Sequence, residues 1–193
     1  MMRMIPCNRQ GLTLVELMIV LVLSTLLMSA AYISYTAQHK GGRLQEQVAS
    51  MQQDIRAAVQ IMERDIRNAG CDPTFADIPP LLADTSGGNV LGLAWDSAGA
   101  GTAQHIRYDL SSGNLRRNSA ILIQNVTSFG VVYWNSGGGV ITPESGGKLS
   151  SSQVEDVRSV RVTLQVKSNK VDPDSGEFVY RTFSRLIKLR NVP

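Results

Sequence analysis

Between Leu12 and Ile33 the chain is almost entirely Leu, Val, Ile, Met and Ala, and from Leu17 to Gln38 it runs for 22 residues without a formal charge. About 20 apolar residues suffice for a helix to cross the hydrocarbon of a bilayer. The apolar core of a secretory signal is shorter, about 7–15 residues before a small-residue cleavage site. Ser29-Ala30-Ala31 imitates such a site, but the apolar run is too long for that reading to lead. The overall figures, 43% hydrophobic residues and mean hydropathy near zero, therefore conceal two different materials. One is a lipid-compatible helix and the other a head more polar than the average. A purely cytosolic globular protein is disfavoured. Arg3 and Arg9 precede the apolar run without any acid, so the positive-inside rule keeps the N-terminus cytoplasmic and sends the remainder across.

Glu16 breaks this pattern, five residues into the apolar segment. A carboxylate in hydrocarbon costs on the order of 2.5–3.5 kcal/mol. It needs no partner if it lies at the level of the lipid headgroups. It gains one if the chain is cut between Gly11 and Leu12, because the new α-amino group of Leu12 is a cation one helical turn away, in the same chain or a packed neighbour. Pairing then neutralises two buried charges together.

The string Gly11-Leu12-Thr13-Leu14-Val15-Glu16-Leu17 resembles the type IV prepilin (class III) signal, a short basic leader ending in Gly followed by an apolar residue, Thr, two apolar residues and Glu. The resemblance implies cleavage after Gly11 by a prepilin peptidase, N-methylation of Leu12, and recognition of a neighbouring subunit's N-terminus by Glu16. Two details depart from the family pattern: Leu stands first where Phe is usual, and no proline interrupts the membrane helix. Cleavage would leave 182 residues, take the two leader arginines and remove Cys7, so that Cys71 becomes a lone cysteine, read as a small half-buried residue just after a helix.

Beyond His39-Lys40-Gly41-Gly42, apolar residues recur at Leu44, Val48, Met51, Ile55, Val59, Met62 and Ile66. Steps of 3 and 4 make a one-sided helical stripe. Glu63 and Arg67 are spaced as an i,i+4 pair, while Gly70 and Pro73 predict the helix end. A helix from Leu12 to Ala69 would be about 87 Å long, with only about a third inside the hydrocarbon. Gly41-Gly42 weakens it by roughly 1 kcal/mol per glycine and marks the candidate hinge at the water interface.

After Gly70 the texture turns to Gly, Ser, Asn, Val and Thr. Residues 71–89 read as loop with at most one helical turn. Short strands are predicted at Val90–Trp95, Gln104–Asp109, Leu115–Arg117, Ala120–Val126, Ser128–Trp134, Val157–Lys167 and Phe178–Asn191, with a hairpin turn at Ser111-Ser112-Gly113-Asn114 and a second loop at 172–177. The stretch from Asn135 to Ser152 reads as flexible, Ser/Gly-rich loop. An antiparallel sheet laid by its apolar face on an amphipathic helix gives an α+β fold. This is also the pilin-like fold that the resemblance implies. The expected organisation is a leader at 1–11, a transmembrane assembly helix at 12–38, the amphipathic half-helix at 39–70 and a β-rich head at 71–193.

The segments "MERDIRNAGC", "IRYDLSSGNLRR" and "VRSVRVTLQVKS" with "IKLRN" resemble PilW-type minor pilins, with GspJ-type pseudopilins of type II secretion next. That resemblance implies a place in a minor-pilin tip complex that starts assembly. Its implied partners are other minor and major pilins, prepilin peptidase, an inner-membrane assembly platform and the lipid bilayer. The implied location is the inner membrane, single-pass with the head periplasmic, and then the pilus.

Catalytic signals are sparse. There are two histidines, His39 and His105, and no HExxH, CxxC, GxSxG or Walker-type loop; no enzyme activity and no cofactor are expected. Asp172, Asp174 and Glu177 form a weak Ca²⁺ candidate, since that ion takes several oxygen ligands from one loop, but the full twelve-residue pattern is missing and a plain polar hairpin turn is the favoured reading. The net charge of +3 is scattered, so nucleic acid is not the expected partner. Two other readings stay open: a membrane-anchored periplasmic binding domain, and a DNA-uptake pilin using Arg116, Arg117, Arg158, Arg161 and Lys167.

Overall fold

The computed structural model describes residues 13–192 apart from Ser97, Ser145, Pro173 and Asp174, and leaves aside the side chains of Lys40, Arg43 and Leu44. One helix, α1 (Leu14–Asn68), takes in both the apolar run and the amphipathic stripe. The chain divides into two compact units, Met1–Gln45 and Glu46–Pro193.

In the first unit, the span Leu14–His39 is long and apolar enough to cross a membrane, with a hydropathy of 2.3 and none of its window buried. Four of its hydroxyls are satisfied within the helix. Ser24, Thr25, Ser29 and Thr36 each donate to a carbonyl three residues back, at 2.8–2.9 Å. Such back-bonding lets a hydroxyl face hydrocarbon without an orphaned donor. The rings of Tyr35 and His39 meet edge to face at 4.2 Å at the polar end of this span.

In the second unit the predicted stripe is the core-facing side of the helix. Met51, Ile55, Val59, Met62 and Ile66 are buried and Val48 is half-buried, while the Leu44 side chain lies outside the described residues. Burial of each such side chain stabilises the fold by about 1.5–3 kcal/mol. The helix stops where Gly70 turns to φ +73, a conformation that suits glycine. A Cβ there would also stand 2.6 Å from the carbonyl oxygen of Asn191. The Asn191 side-chain amide donates to the helix-end carbonyls of Arg67, Asn68 and Ala69 at 3.1–3.4 Å, and the Asn68 carbonyl also accepts the Cys71 amide at 3.0 Å.

The α+β class and the antiparallel pairing follow the sequence, but the single expected sheet is two. The first has the order β1-β2-β3-β4, formed by β1 (Val90–Trp95), β2 (Gln104–Ser111), β3 (Asn114–Arg117) and β4 (Ala120–Ile123). The second has the order β6-β5-β7-β8, formed by β5 (Val126–Trp134), β6 (Val140–Ile141), β7 (Ser159–Lys167) and β8 (Tyr180–Lys188). The break falls at Gln124-Asn125, where Asn125 adopts φ +59, so a run expected to continue to Val126 ends at Ile123. The β2–β3 turn is the one the sequence announced. Ser111 pairs with Asn114 across Ser112 and Gly113, both at positive φ, which matches the right-handed twist of the strands.

Residues 71–89 are loop as expected, with a turn closed by the Ser86 amide on the Leu82 carbonyl at 2.7 Å, and Leu81 makes an isolated bridge to Leu93 along the edge of β1. One further expectation is corrected. The Ser/Gly-rich stretch carries a short helix, α2 (Ser151–Asp156), in place of continuous loop. Ser150 and Gln153 close its capping box, each side chain serving the other's backbone amide. In β7 the predicted alternation holds, with Val160, Val162, Leu164 and Val166 all buried.

Candidate functional site

Thr13 caps the start of α1: its hydroxyl accepts the amide of Glu16 at 3.2 Å, and its carbonyl accepts the amide of Leu17 at 3.1 Å. This places Glu16 in the first turn, where free amides and the helix dipole favour a negative charge. The Thr13-x-x-Glu16 spacing is itself a capping signal in the sequence, and it gives Thr13 a role that reading for charge alone misses. Glu16 and its neighbours Leu14, Val15, Leu17 and Met18 are all exposed. A carboxylate thus emerges from an apolar surface that only lipid or other helices can cover. Gly11 and Leu12 lie outside the described residues. Gly41 and Gly42 are both helical within α1, and an added Cβ at either would meet nothing within 4 Å.

In the second unit the helix is tied to both sheets by adjacent carboxylates. Asp65 is buried, and its Oδ2 accepts the Tyr108 hydroxyl at 2.6 Å and Arg117 Nε at 2.7 Å. Arg64 adds only a long, exposed contact of 3.8 Å. Hydrogen bonding to Asp65 raises the Arg117 guanidinium above its ordinary value, ahead of the opposing effect of burial. Burial first, and then the Asp65 carboxylate, push the Tyr108 phenol far above its usual range. Glu63 makes the expected i,i+4 pair with Arg67 at 2.5 Å and also reaches Arg185 of β8 at 3.1 Å. Asp65 reads in the sequence as one more polar helix position. Its partners are 43 and 52 residues away, so no local pattern marks it.

Two loops are organised by carboxylates. Asp72 accepts the amides of Thr74 and Ile78 and the Thr74 hydroxyl, and Asp96 accepts the amides of Ala98, Gly99 and Gly101. Desolvation alone would raise both carboxyls. The amide donors, led by Ala76 for Asp72 and Gly101 for Asp96, outweigh it and hold both below the ordinary 3.8. A depressed folded-state value means stability present above the unfolded value and lost as pH falls through the folded one. Protection of the Ile78 and Gly101 amides, measured relative to their intrinsic exchange rates, should therefore be high near neutrality and fall below about pH 4, while the buried β7 amides keep theirs.

The remaining sequence candidates are dispersed. In the 172–177 hairpin, Asp172 accepts the Ser175 hydroxyl at 2.9 Å, its amide donates to the Glu177 carbonyl at 2.8 Å, and Asp174 lies outside the described residues. No trio of His, Cys, Asp or Glu poised for a metal occurs among the described residues. Cys71 is a half-buried free thiol against the core, as read. The five basic residues of the DNA reading do not converge. Arg117 is bound to Asp65, Arg116 buries its Nε, and Arg158 donates to the carbonyls of Glu155 and Val157; Arg161 and Lys167 lie on the second sheet. His105 lines an open cleft of about 1130 Å³ with Asp72, Ile78, Leu82, Glu155 and Arg158, in which no hydrogen-bonded nucleophile–base pair forms among the described residues.

Residues 6–32 match the family model of the prokaryotic N-terminal methylation motif. A search of curated proteins returns no match to the chain. The motif covers Gly11, Leu12 and Glu16 and much of the apolar helix. It implies processing by prepilin peptidase and points to a structural rather than an enzymatic chain. A methylation motif, an apolar helix able to anchor in a membrane, and antiparallel sheets packed on the continuing helix together support a type IV pilin-like protein, pilin or pseudopilin.

Proposed function

We propose that this chain is a minor pilin of a type IV pilus that helps to start pilus assembly within a tip complex. Residues 1–11 are the leader, cut after Gly11, and Leu12 carries the methylated amine. Residues 12–38 form the transmembrane assembly helix, 39–70 its amphipathic continuation and 71–193 the head. The chain enters the inner membrane with its N-terminus cytoplasmic and its head periplasmic, as Arg3 and Arg9 ahead of the apolar run favour. Gly41-Gly42 serves as the hinge. Neither glycine is required for space, which leaves backbone freedom as what the pair supplies.

The carrying observation is Glu16, set by the Thr13 cap in the first turn of a helix whose other surface is hydrocarbon-compatible. In a bundle of such helices this carboxylate and a neighbour's Leu12 amine would neutralise each other. Intact-mass measurement of the full chain, expressed with and without a prepilin peptidase, tests this reading. The expected product lacks residues 1–11 and carries one added methyl group only when the peptidase is present. A chain retaining its first eleven residues, or beginning beyond Ala31, overturns it. The same N-terminus would serve a GspJ-type pseudopilin of type II secretion, and the genes encoded beside this one separate the two systems.

A further inference from the structure

On the second sheet, one set of strand positions faces the core and the other faces outward. The outward set is Ser128, Gly130, Val132 and Trp134 of β5; Val140 of β6; Ser159, Arg161, Thr163, Gln165 and Lys167 of β7; and Tyr180, Thr182, Ser184, Leu186 and Lys188 of β8. It contains three cations and no carboxylate. None of the three cations forms an ion pair among the described residues, although Glu63 and Asp65 engage arginines elsewhere in the unit. Register puts Val132, Arg161 and Leu186 in one row, with Val140, Trp134, Ser159 and Lys188 in the next. Val140 and Leu186 are each about half exposed, so an apolar corner surrounds Arg161. The guanidinium is held 4.9 Å from the centroid of the Trp134 ring. Below this corner the face is rigidified by a polar ladder. Thr163 meets Ser184 at 3.1 Å, and Gln165 meets Thr127 at 3.0 Å and Thr182 at 3.4 Å.

A merely solvated sheet face mixes both charge signs and keeps its large apolar residues apart. Here an arginine pre-positioned on an aromatic ring is ringed by exposed aliphatic side chains, the composition found at the centre of protein interfaces. We infer that the outward face of β6-β5-β7-β8 docks an acidic, partly apolar surface on the head of a neighbouring pilin-like subunit. The inference rests on the assembly reading and names the partner chemistry that reading leaves open. Opposite charge would set the approach and register, while Leu186, Val140 and Trp134 would supply the desolvated centre. Three cations interleaved with aliphatic residues suit a protein better than a phosphate backbone, whose binding grows with the number of charges neutralised.

The test uses the full chain in membranes, co-expressed with the motif-bearing proteins encoded beside it. A photo-crosslinking residue is placed at Ser184, with others at Phe75 in the head and Ser24 in the apolar helix. The expected result is a crosslink from Ser184 to an acidic segment of one of those proteins. It should fall at least about tenfold in an Arg161→Glu/Lys188→Glu variant and return when the captured acids are changed to lysine. Unchanged protease resistance of the head, and a single Lys188→Glu variant with an intermediate loss, separate lost docking from misfolding. Capture from Ser24 or Phe75 but not from Ser184 overturns the inference and leaves the assembly reading standing. So does a Ser184 crosslink that ignores charge reversal or goes to nucleic acid. Failure to capture any motif-bearing protein from all three positions overturns both.

Discussion

Glu16→Ala chains should enter the membrane at least as well as the parent but be lost from filaments by about a hundredfold. Removing a carboxylate from an apolar segment lowers the cost of insertion by on the order of 2.5–3.5 kcal/mol. On the proposed processing, the same change would leave the freed amine of Leu12 without its counter-charge wherever helices pack together. A penalty of about 2–3 kcal/mol on that contact corresponds to roughly a hundredfold in the equilibrium. Insertion and incorporation therefore move in opposite directions, which general misfolding would not produce. Carbonate-resistant membrane fractions and sheared filaments, probed in the same culture, read the two quantities. Equal incorporation of parent and variant would mean that Glu16 lies at the headgroups without a role in packing.

The second large effect lies in the buried cluster on the helix. Loss of the cation should hurt more than loss of the anion. Arg117 keeps about a third of its side chain exposed, whereas Asp65 is almost completely buried. In Asp65→Asn the guanidinium turns to water and Tyr108 keeps an acceptor, so the cost stays at about 1–3 kcal/mol. In Arg117→Met a buried carboxylate retains only the phenol and the distant Arg64, and the expected cost is about 3–5 kcal/mol. Combining Arg117→Met with Asp65→Leu should recover only part of that loss, because no charge then remains in the core but the buried Tyr108 hydroxyl loses its acceptor. Denaturant unfolding of the full chain in mild detergent, followed by the tryptophans at 95 and 134, reports on this unit alone.

These cases also show what kind of information the sequence carries. Features repeated along the chain are legible in it. The stripe from Val48 to Ile66, the alternation in β7 and the Ser112-Gly113 turn each follow a local period or a local backbone requirement. The N-terminal signal is legible for a different reason, since a charge among more than twenty apolar residues has few physical excuses. Illegible are the features made by distant segments meeting. Asp65 becomes a core residue because Tyr108 and Arg117 arrive from β2 and β3. The division into two sheets turns on one backbone conformation, at Asn125. The cap at Thr13 and the capping box at Ser150 fall between these extremes: the spacing is present in each, but reading for hydropathy passes over it.

The clasp at the end of α1 bears on how the molecule is made. Asn191 secures carbonyls 122 to 124 positions upstream, and the tail leading to it buries Leu189. The tail follows directly on β8, so the knot draws together the two ends of this unit's chain. Until it is tied, the greasy flank formed by Met51, Ile55, Val59 and Met62 stands bare beside a lipid-seeking neighbour in the same polypeptide. Long-range closure of this kind is slow, and it leaves a half-made chain sticky in the interval. A helper that shields nascent chains would find its client here, and its work would end when the asparagine seats.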